Sequence, residues 1–505
     1  MSGYRLERDT AVAVIGAGSM GAGIAQLAAQ NGHSVRLFDR QPGACDAALK
    51  RIGADLAGAV QRGRLDAAER DAVLGRLAVV DGVPALEGCT LAVEAIVEQL
   101  EPKRALFREL EGVLAPDAVL ATNTSSISIT AIAQGLAHPQ RVIGWHFFNP
   151  PTRMKLVEII PGVETDPALV AALHALSKAW GKTPVDAPNA PGFIVNRVAR
   201  PYYAENLRLL AERIAAPEAI DRLLRDAGGF ALGPFELIDL IGADVNLSVT
   251  ESVFAATAWD TRYAPHVIQQ ELVRAGRFGR KTGRGFYRYG DAARVPVAAC
   301  VEPGDSVGAV SIATATHAGL LGALVARLSA SGVAVASDAS LHAETLAIGG
   351  DRVALTDGRT LAERRRGGGP SVLLDLARDY ATTPVVGATG DRASLAHLAA
   401  ALRPAGIAVI ALDDVAGLVV MRTVCCLANE AADVLTWSGV RAADIDTSMK
   451  LGTAYPIGPL AWADALGADR VCAVLEHLQD HYGETRYRRS PALTRARHRE
   501  ERFHG

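Results

Sequence analysis

The sequence is short of the features that mark special environments. Its 505 residues include six cysteines, with no metal-like spacing among them, so reduced thiols and no metal site are expected, as in a cytoplasm. The adjacent Cys425 and Cys426 read as small core residues on a helix. No apolar run approaches the ~20 residues of a membrane span, so no membrane partner is expected. The formal charge of −3 leaves no basic field for nucleic acid or an anionic bilayer. The opening MSGYRLERDTAVAVIG runs straight into a strand and lacks the zones of a secretory signal. A cytoplasmic protein is expected. What is present is ordinary for a globular chain, with 49% apolar and 21% charged residues, and its length calls for three or four domains.

Residues 11–15, AVAVI, form an apolar run that ends in GAGSMG at 16–21. An Ala-rich helical stretch follows and closes at Gly32, and HSVRLFD then reads as a second strand ending in Asp39. Strand, glycine turn, helix, strand and acid within ~30 residues is the context a dinucleotide fingerprint requires. Gly16 permits the tight turn, Gly18 lets backbone approach a pyrophosphate, and Gly21 lets helix and strand pack closely. With Ser19 and Met20 they form the start of a helix whose free N–H groups favour anions. The Asp39 carboxylate would bind the adenosine ribose and repel a 2′-phosphate, so NAD is expected rather than NADP. A glycine turn without a ligand is the competing reading, and the flanking strands and the acid weigh against it.

Apolar runs at 90–99, 118–129 and 141–150 continue the alternation of strand and helix, which predicts a doubly wound parallel sheet. Ligands in such sheets bind at the carboxyl ends of strands. Glu94, Glu98, Asn123, Thr124, Ser125 and His146 fall at or just past those ends. In GWHFFNPPTRMKLVEII (144–160), His146 and Glu158 lie on two short strands, parted by a turn carrying Asn149, Pro150 and Pro151. Taken singly, a buried histidine is more often structural, Ser125 is an ordinary turn residue and Asn196 a helix cap. Their placement around one nucleotide fold reverses that weighting.

Eight motifs in order then resemble the L-3-hydroxyacyl-CoA dehydrogenases over residues 8–290: GAGSMG, VEAIVEQLEPK, NTSS, HFFNP, KLVEII, PGFIVNR, GPFELIDLIG and FGRKTGRGFY. The length and the extra C-terminal half are similar to the bacterial branch that degrades aromatic acids such as phenylacetate through CoA thioesters. The resemblance implies His146 as catalytic base, Glu158 as its partner, Ser125 as a substrate and nicotinamide contact, and Asn196 as a contact to the substrate oxygens. It further implies that Glu98, Lys103, Asn149 and Lys281 hold NAD and that Arg62 contacts CoA. Helical domains of the family commonly dimerise, which leaves open a homo-oligomer or an internal pair of the two helical copies.

The chemistry fits those residue types. Oxidising a secondary alcohol removes a hydroxyl proton as a hydride leaves the same carbon. A histidine titrates near working pH, and a carboxylate on its other nitrogen fixes the tautomer. The alternatives are a dehydrogenase of a small free hydroxyacid and a non-catalytic NAD- or acyl-CoA-binding protein. The intact set of His146, Glu158, Ser125 and Asn196 argues against the latter.

Four segments are expected: a Rossmann domain at 1–187, a helical domain at 188–292, a small degenerate α/β domain at 296–410 and a second helical copy at 411–505. PGFIVNR (191–197) faces AGLVVMR (416–422), and GPFELIDLIGAD faces GPLAWADALGAD, at a constant offset of 225. The position of Asn196 then holds Met421, so one active site per chain is expected. ATATHAG (313–319) lacks the fingerprint glycines, so no dinucleotide is expected there. The basic tail RYRRSPALTRARHREERF reads as a solvated end.

Overall fold

The structure, a computed structural model, describes residues 4, 6, 10–290, 296–304, 310–313, 319–338, 340–342, 344–366 and 368–505. The chain divides into two compact units, Met1–Asn196 with Leu451–Thr453, and Arg197–Lys450 with Ala454–Gly505. The expected helical, small α/β and second helical segments thus fall almost wholly in the second unit. No helix among the described residues is long and apolar enough to cross a membrane.

The first unit is built on an eight-stranded sheet. Its strands are β1 (Val12–Ile15), β2 (Val35–Phe38), β3 (Leu77–Val79), β4 (Leu91–Glu94), β5 (Val119–Thr122), β6 (Val142–Phe147), β7 (Leu156–Pro161) and β8 (Thr183–Asp186). Their order is β3-β2-β1-β4-β5-β6-β7-β8. Every residue of β1, β4 and β5 is buried, which is why these strands read as unbroken apolar runs and not as alternating ones. Helices Ser19–Gln30 and Pro167–Ala179 contribute Ile24, Leu27, Leu169 and Leu173 to one core with Val12, Val93 and Trp145.

The sheet corrects one expectation, for it is mixed and not wholly parallel. β6 and β7 pair antiparallel, with His146 directly opposite Glu158. Only eight residues join them, too few for the crossover helix that a parallel neighbour needs. The turn between them contains a cis Asn149–Pro150 bond.

The second unit carries a seven-stranded sheet in the order β10-β9-β11-β12-β13-β14-β15. The strands are β9 (Val310–Ala313), β10 (Val335–Asp338), β11 (Thr345–Ile348), β12 (Asp351–Leu355), β13 (Val372–Leu374), β14 (Val385–Gly390) and β15 (Ala408–Ala411). The sequence runs marked β9, β10, β12, β14 and β15 but missed β11 and β13. Residues 314–318, the centre of ATATHAG, lie outside the described residues.

Helices Arg200–Ala211 and Val420–Ser438 pack together in this unit, joined by reciprocal buried ion pairs. Arg197 meets Glu430 at 2.8 Å, and Arg422 meets Glu205 at 2.9 Å. Both members of the second pair lie 225 residues from their counterparts in the first. Tyr263 donates its hydroxyl to Glu430 at 2.6 Å, and Tyr487 donates to Glu205 at 3.0 Å.

The basic tail is ordered, against expectation. Helix Pro491–Arg499 is capped by Ser490 and buries Ala492, Leu493 and Ala496. The Asp464 carboxylate then accepts the N–H groups of Phe503 and His504 at 2.7 and 3.0 Å. Arg497 pairs with Glu476 and Asp469, so its charge is matched by acids distant in sequence.

Candidate active site

The glycine turn between β1 and helix Ser19–Gln30 has no room for side chains at two positions. Gly16 has φ +104°, and a Cβ there would lie 2.4 Å from the Ala95 carbonyl oxygen. A Cβ on Gly21 would lie 1.7 Å from the Gly16 oxygen. Gly18 differs, because a Cβ there would meet nothing within 4 Å. Glycine is therefore not needed at that point to pack the protein, and its bare backbone faces open space. It precedes a helix with no side-chain cap, so the first-turn N–H groups suit an anion. Ser19 is exposed on this turn, while Met20 packs partly against the core.

A cleft of about 470 Å³ adjoins the turn, lined by Gly16, Gly18, Asp39, Arg40, Ala95 and Val97 among others. Asp39 ends β2 and accepts N–H groups from Ala17 at 2.7 Å and Gln41 at 2.8 Å. Each carboxylate oxygen keeps a second lone pair for a ribose hydroxyl. The cradle fits the adenosine diphosphate half of NAD.

His146 and Glu158 form a buried pair. The imidazole Nδ1 lies 2.7 Å from Glu158 Oε2. A carboxylate accepts, so Nδ1 carries the proton and Nε2 keeps its lone pair. Glu158 is fully buried, and its other oxygen accepts N–H groups from Ile194 at 3.1 Å and Val195 at 3.0 Å. These bonds satisfy the buried charge and join the two central strands of the site to the segment bearing Asn196. Phe148 and Phe193 flank the imidazole, with ring centroids 4.5 and 5.8 Å away.

Beyond β5, the loop of NTSS is folded around Glu98. One oxygen of Glu98 accepts from Thr124 Oγ1 at 2.7 Å, from the Ser125 N–H at 2.8 Å and from Ser125 Oγ at 3.1 Å. The Ser126 N–H and hydroxyl converge on the same atom. Burial pushes the Glu98 carboxyl up, but Lys103 and these hydrogen bonds outweigh it and hold it below its ordinary value. Asn196 Nδ2 reaches the Ser125 carbonyl at 3.4 Å, which brings the asparagine to the serine loop. Asn123 accepts the Phe147 N–H at 2.8 Å and so fixes the end of the histidine strand.

Lys103 is fully buried, its Nζ 2.6 Å from Glu94 and 3.3 Å from Glu98. That position sets its ammonium against two carboxylates. Asn149 is exposed at the end of β6, and Arg62 is exposed at the end of helix Ala44–Gln61. Lys281 lies in the second unit, bonded to Asp244 at 2.7 Å. Among the described residues, no group of three potential ligands could hold a metal ion.

The sequence reading gave no role to two features. Glu94 braces the serine loop from below, bonded to Lys103 and to Thr122 Oγ1 at 2.6 Å each. Its signal was a lone charge ending an apolar strand. In the second unit, Asp375 is fully buried at the end of β13 and accepts the N–H groups of Val419, Val420 and Met421 at 3.0, 2.8 and 3.1 Å. The 225-residue offset makes Val419 and Val420 the counterparts of Ile194 and Val195, which Glu158 serves. Asp375 faces Gly387 across the sheet, through its N–H to the Gly387 carbonyl at 2.8 Å.

Comparison with known proteins is consistent with this geometry. The family model described as 3-hydroxyacyl-CoA dehydrogenase, NAD binding domain, matches residues 11–190. Its C-terminal domain counterpart matches residues 192–289 and 417–501. A 3-hydroxybutyryl-CoA dehydrogenase reduced Rossmann-fold domain matches residues 353–415. The chain is 43% identical to 3-hydroxyadipyl-CoA dehydrogenase of Escherichia coli K12, over 94% of this chain and 95% of that one. It is 38% identical to human mitochondrial hydroxyacyl-coenzyme A dehydrogenase, over 55% of this chain and 90% of that one. A crystal structure of 3-hydroxybutyryl-CoA dehydrogenase from Escherichia coli K12 matches with a TM-score of 0.87 at 41% identity, covering 97% of this chain and 99% of that one. The chain belongs to the 3-hydroxyacyl-CoA dehydrogenase family, whose members are NAD-dependent oxidoreductases.

Proposed function

We propose that the chain interconverts an L-3-hydroxyacyl-CoA and its 3-oxoacyl-CoA, with His146 as the base. The observation that carries this reading is the 2.7 Å contact of His146 Nδ1 with the buried Glu158 carboxylate. With Nδ1 protonated toward Glu158, Nε2 takes the proton of the 3-hydroxyl group, and the carboxylate stabilises the imidazolium that results. NAD, when bound, accepts the hydride from the same carbon. Ser125 and Asn196 orient the substrate oxygens, and Glu98 and Asn149 hold NAD. Arg62 contributes a cation to the CoA moiety.

The substrate is a short thioester of the kind named for the relatives, 3-hydroxyadipyl-CoA or 3-hydroxybutyryl-CoA. The setting is cytoplasmic breakdown of aromatic or fatty acids. The two helical segments form an internal pair, supported by the reciprocal Arg197–Glu430 and Arg422–Glu205 bridges. The second segment is structural, because Asp375 alone serves the backbone that Glu158 serves in the first and Gly387 lies opposite it. Loss of NADH absorbance with a panel of 3-oxoacyl-CoA thioesters tests the reaction and ranks the acyl groups. His146→Gln should lower kcat by ~10²–10⁴ with NADH binding intact. Unchanged turnover would remove the histidine from the mechanism.

A further inference from the structure

The cleft beside the glycine turn has a second acid one ion pair away. Arg40 follows Asp39 at the end of β2 and is the one cation among the described residues lining the cleft. Its guanidinium is held by Glu109 at 2.6 Å. Glu109 stands on helix Leu100–Val113, whose Pro102 and Leu106 line the same cleft. The two side chains are 63% and 46% exposed.

An arginine next to the ribose-binding acid is what a dinucleotide fold uses to accept a 2′-phosphate, because the planar fork matches phosphate oxygens. This chain has that arginine but binds it to a carboxylate. We infer that Glu109 is a second determinant against NADP, acting by sequestering Arg40, alongside the direct repulsion by Asp39. The two acids work differently. Asp39 opposes the phosphate by charge at close range, whereas Glu109 holds the Nη2 group that the phosphate would use. Removing Asp39 alone therefore leaves Arg40 engaged, and removing Glu109 alone leaves the repulsion. The gain on removing both exceeds the product of the single gains.

The inference rests on NAD as the natural cofactor, and NADH turnover by the unmodified protein checks that separately. The measurement is the ratio of kcat/KM for NADPH to that for NADH, with acetoacetyl-CoA, supported by fluorescence titration of each cofactor. Asp39→Asn should raise the ratio. Adding Glu109→Gln should raise it further by roughly threefold to fivefold, the worth of one exposed ion pair. Adding Arg40→Met to that double variant should abolish the further gain while NADH is still bound. A gain from Glu109→Gln that survives Arg40→Met would assign the effect to bulk charge and overturn the inference. No gain in the double variant would overturn it as well. Arg40 and Glu109 are exposed, and Asp39→Asn keeps an acceptor oxygen at its half-buried site, so the variants are expected to fold.

Discussion

Replacing Glu158 by glutamine tests the buried pair most directly, because the amide keeps the shape and changes only what can donate. Two orientations are open to it. In one, the amide oxygen faces His146, and the NH₂ group is driven against the N–H groups of Ile194 and Val195. Two buried donors would then lose their acceptor, at about 1–3 kcal/mol each. In the other, the oxygen keeps both N–H bonds and the NH₂ group donates to His146 Nδ1. The second orientation avoids the loss and wins. It moves the imidazole proton to Nε2, the atom that has to receive the substrate proton. We expect kcat for 3-hydroxybutyryl-CoA oxidation to fall by ~10³–10⁴, as for an acid-to-amide change behind other catalytic histidines. The melting temperature should move only a few degrees, and NADH should bind as before. The assay is gain of absorbance at 340 nm as NADH forms, with NADH binding titrated by fluorescence. A kcat within tenfold of the unmodified enzyme, in a folded protein, would refute the tautomer argument.

Met421 is fully buried in the second helical segment, so Met421→Ala should cost about 2–5 kcal/mol of stability in denaturant titration while kcat stays within twofold. Calorimetry should find one NADH per chain, and two would contradict a single site. Arg422 is fully buried against Glu205 and Glu212, so Arg422→Met should destabilise by about 3–5 kcal/mol, since Glu205 loses its buried cation and keeps only Arg208 and the Tyr487 hydroxyl. The double change with Glu205→Leu should recover most of that loss. Burial lowers the Lys182 ammonium from 10.5 to about 8, although it donates to the Met154 carbonyl at 2.8 Å. Its folded value lies below its unfolded one, so its contribution is complete above pH 10.5 and is lost as pH falls through about 8. Lys182→Met should flatten the stability curve across that window, and an unchanged slope would assign the dependence elsewhere.

The nucleotide half was legible because its signals are local. The apolar strand, the glycines at 16, 18 and 21, and Asp39 lie within one short stretch, and each acts on its near neighbours. His146 and Glu158 stood out for a related reason, as polar residues inside apolar runs, which burial tolerates only when they find partners. The partners themselves were not legible. Glu94 takes up Lys103 and Thr122 from β4, α-helix and β5 positions brought together only by the sheet order. The same holds for strands β11 and β13, which are short and obtain their hydrogen bonds from neighbours on either side.

The C-terminal half shows the division most sharply. Its internal similarity was visible as a constant offset of 225, since matching glycines, prolines and apolar residues recur at that spacing in the letters. Its arginine-rich tail looked solvated because local composition holds more cations than anions. The acids that order it, Asp464, Asp469 and Glu476, lie on earlier helices of the same segment. The role of Asp375 was hidden as well, because the backbone donors it serves lie more than forty residues away. Periodicity and turn chemistry depend on residues a few positions apart, and the sequence alone determined those. Which carboxylate meets which donor depends on the closing of long loops, and only the tertiary structure decided that.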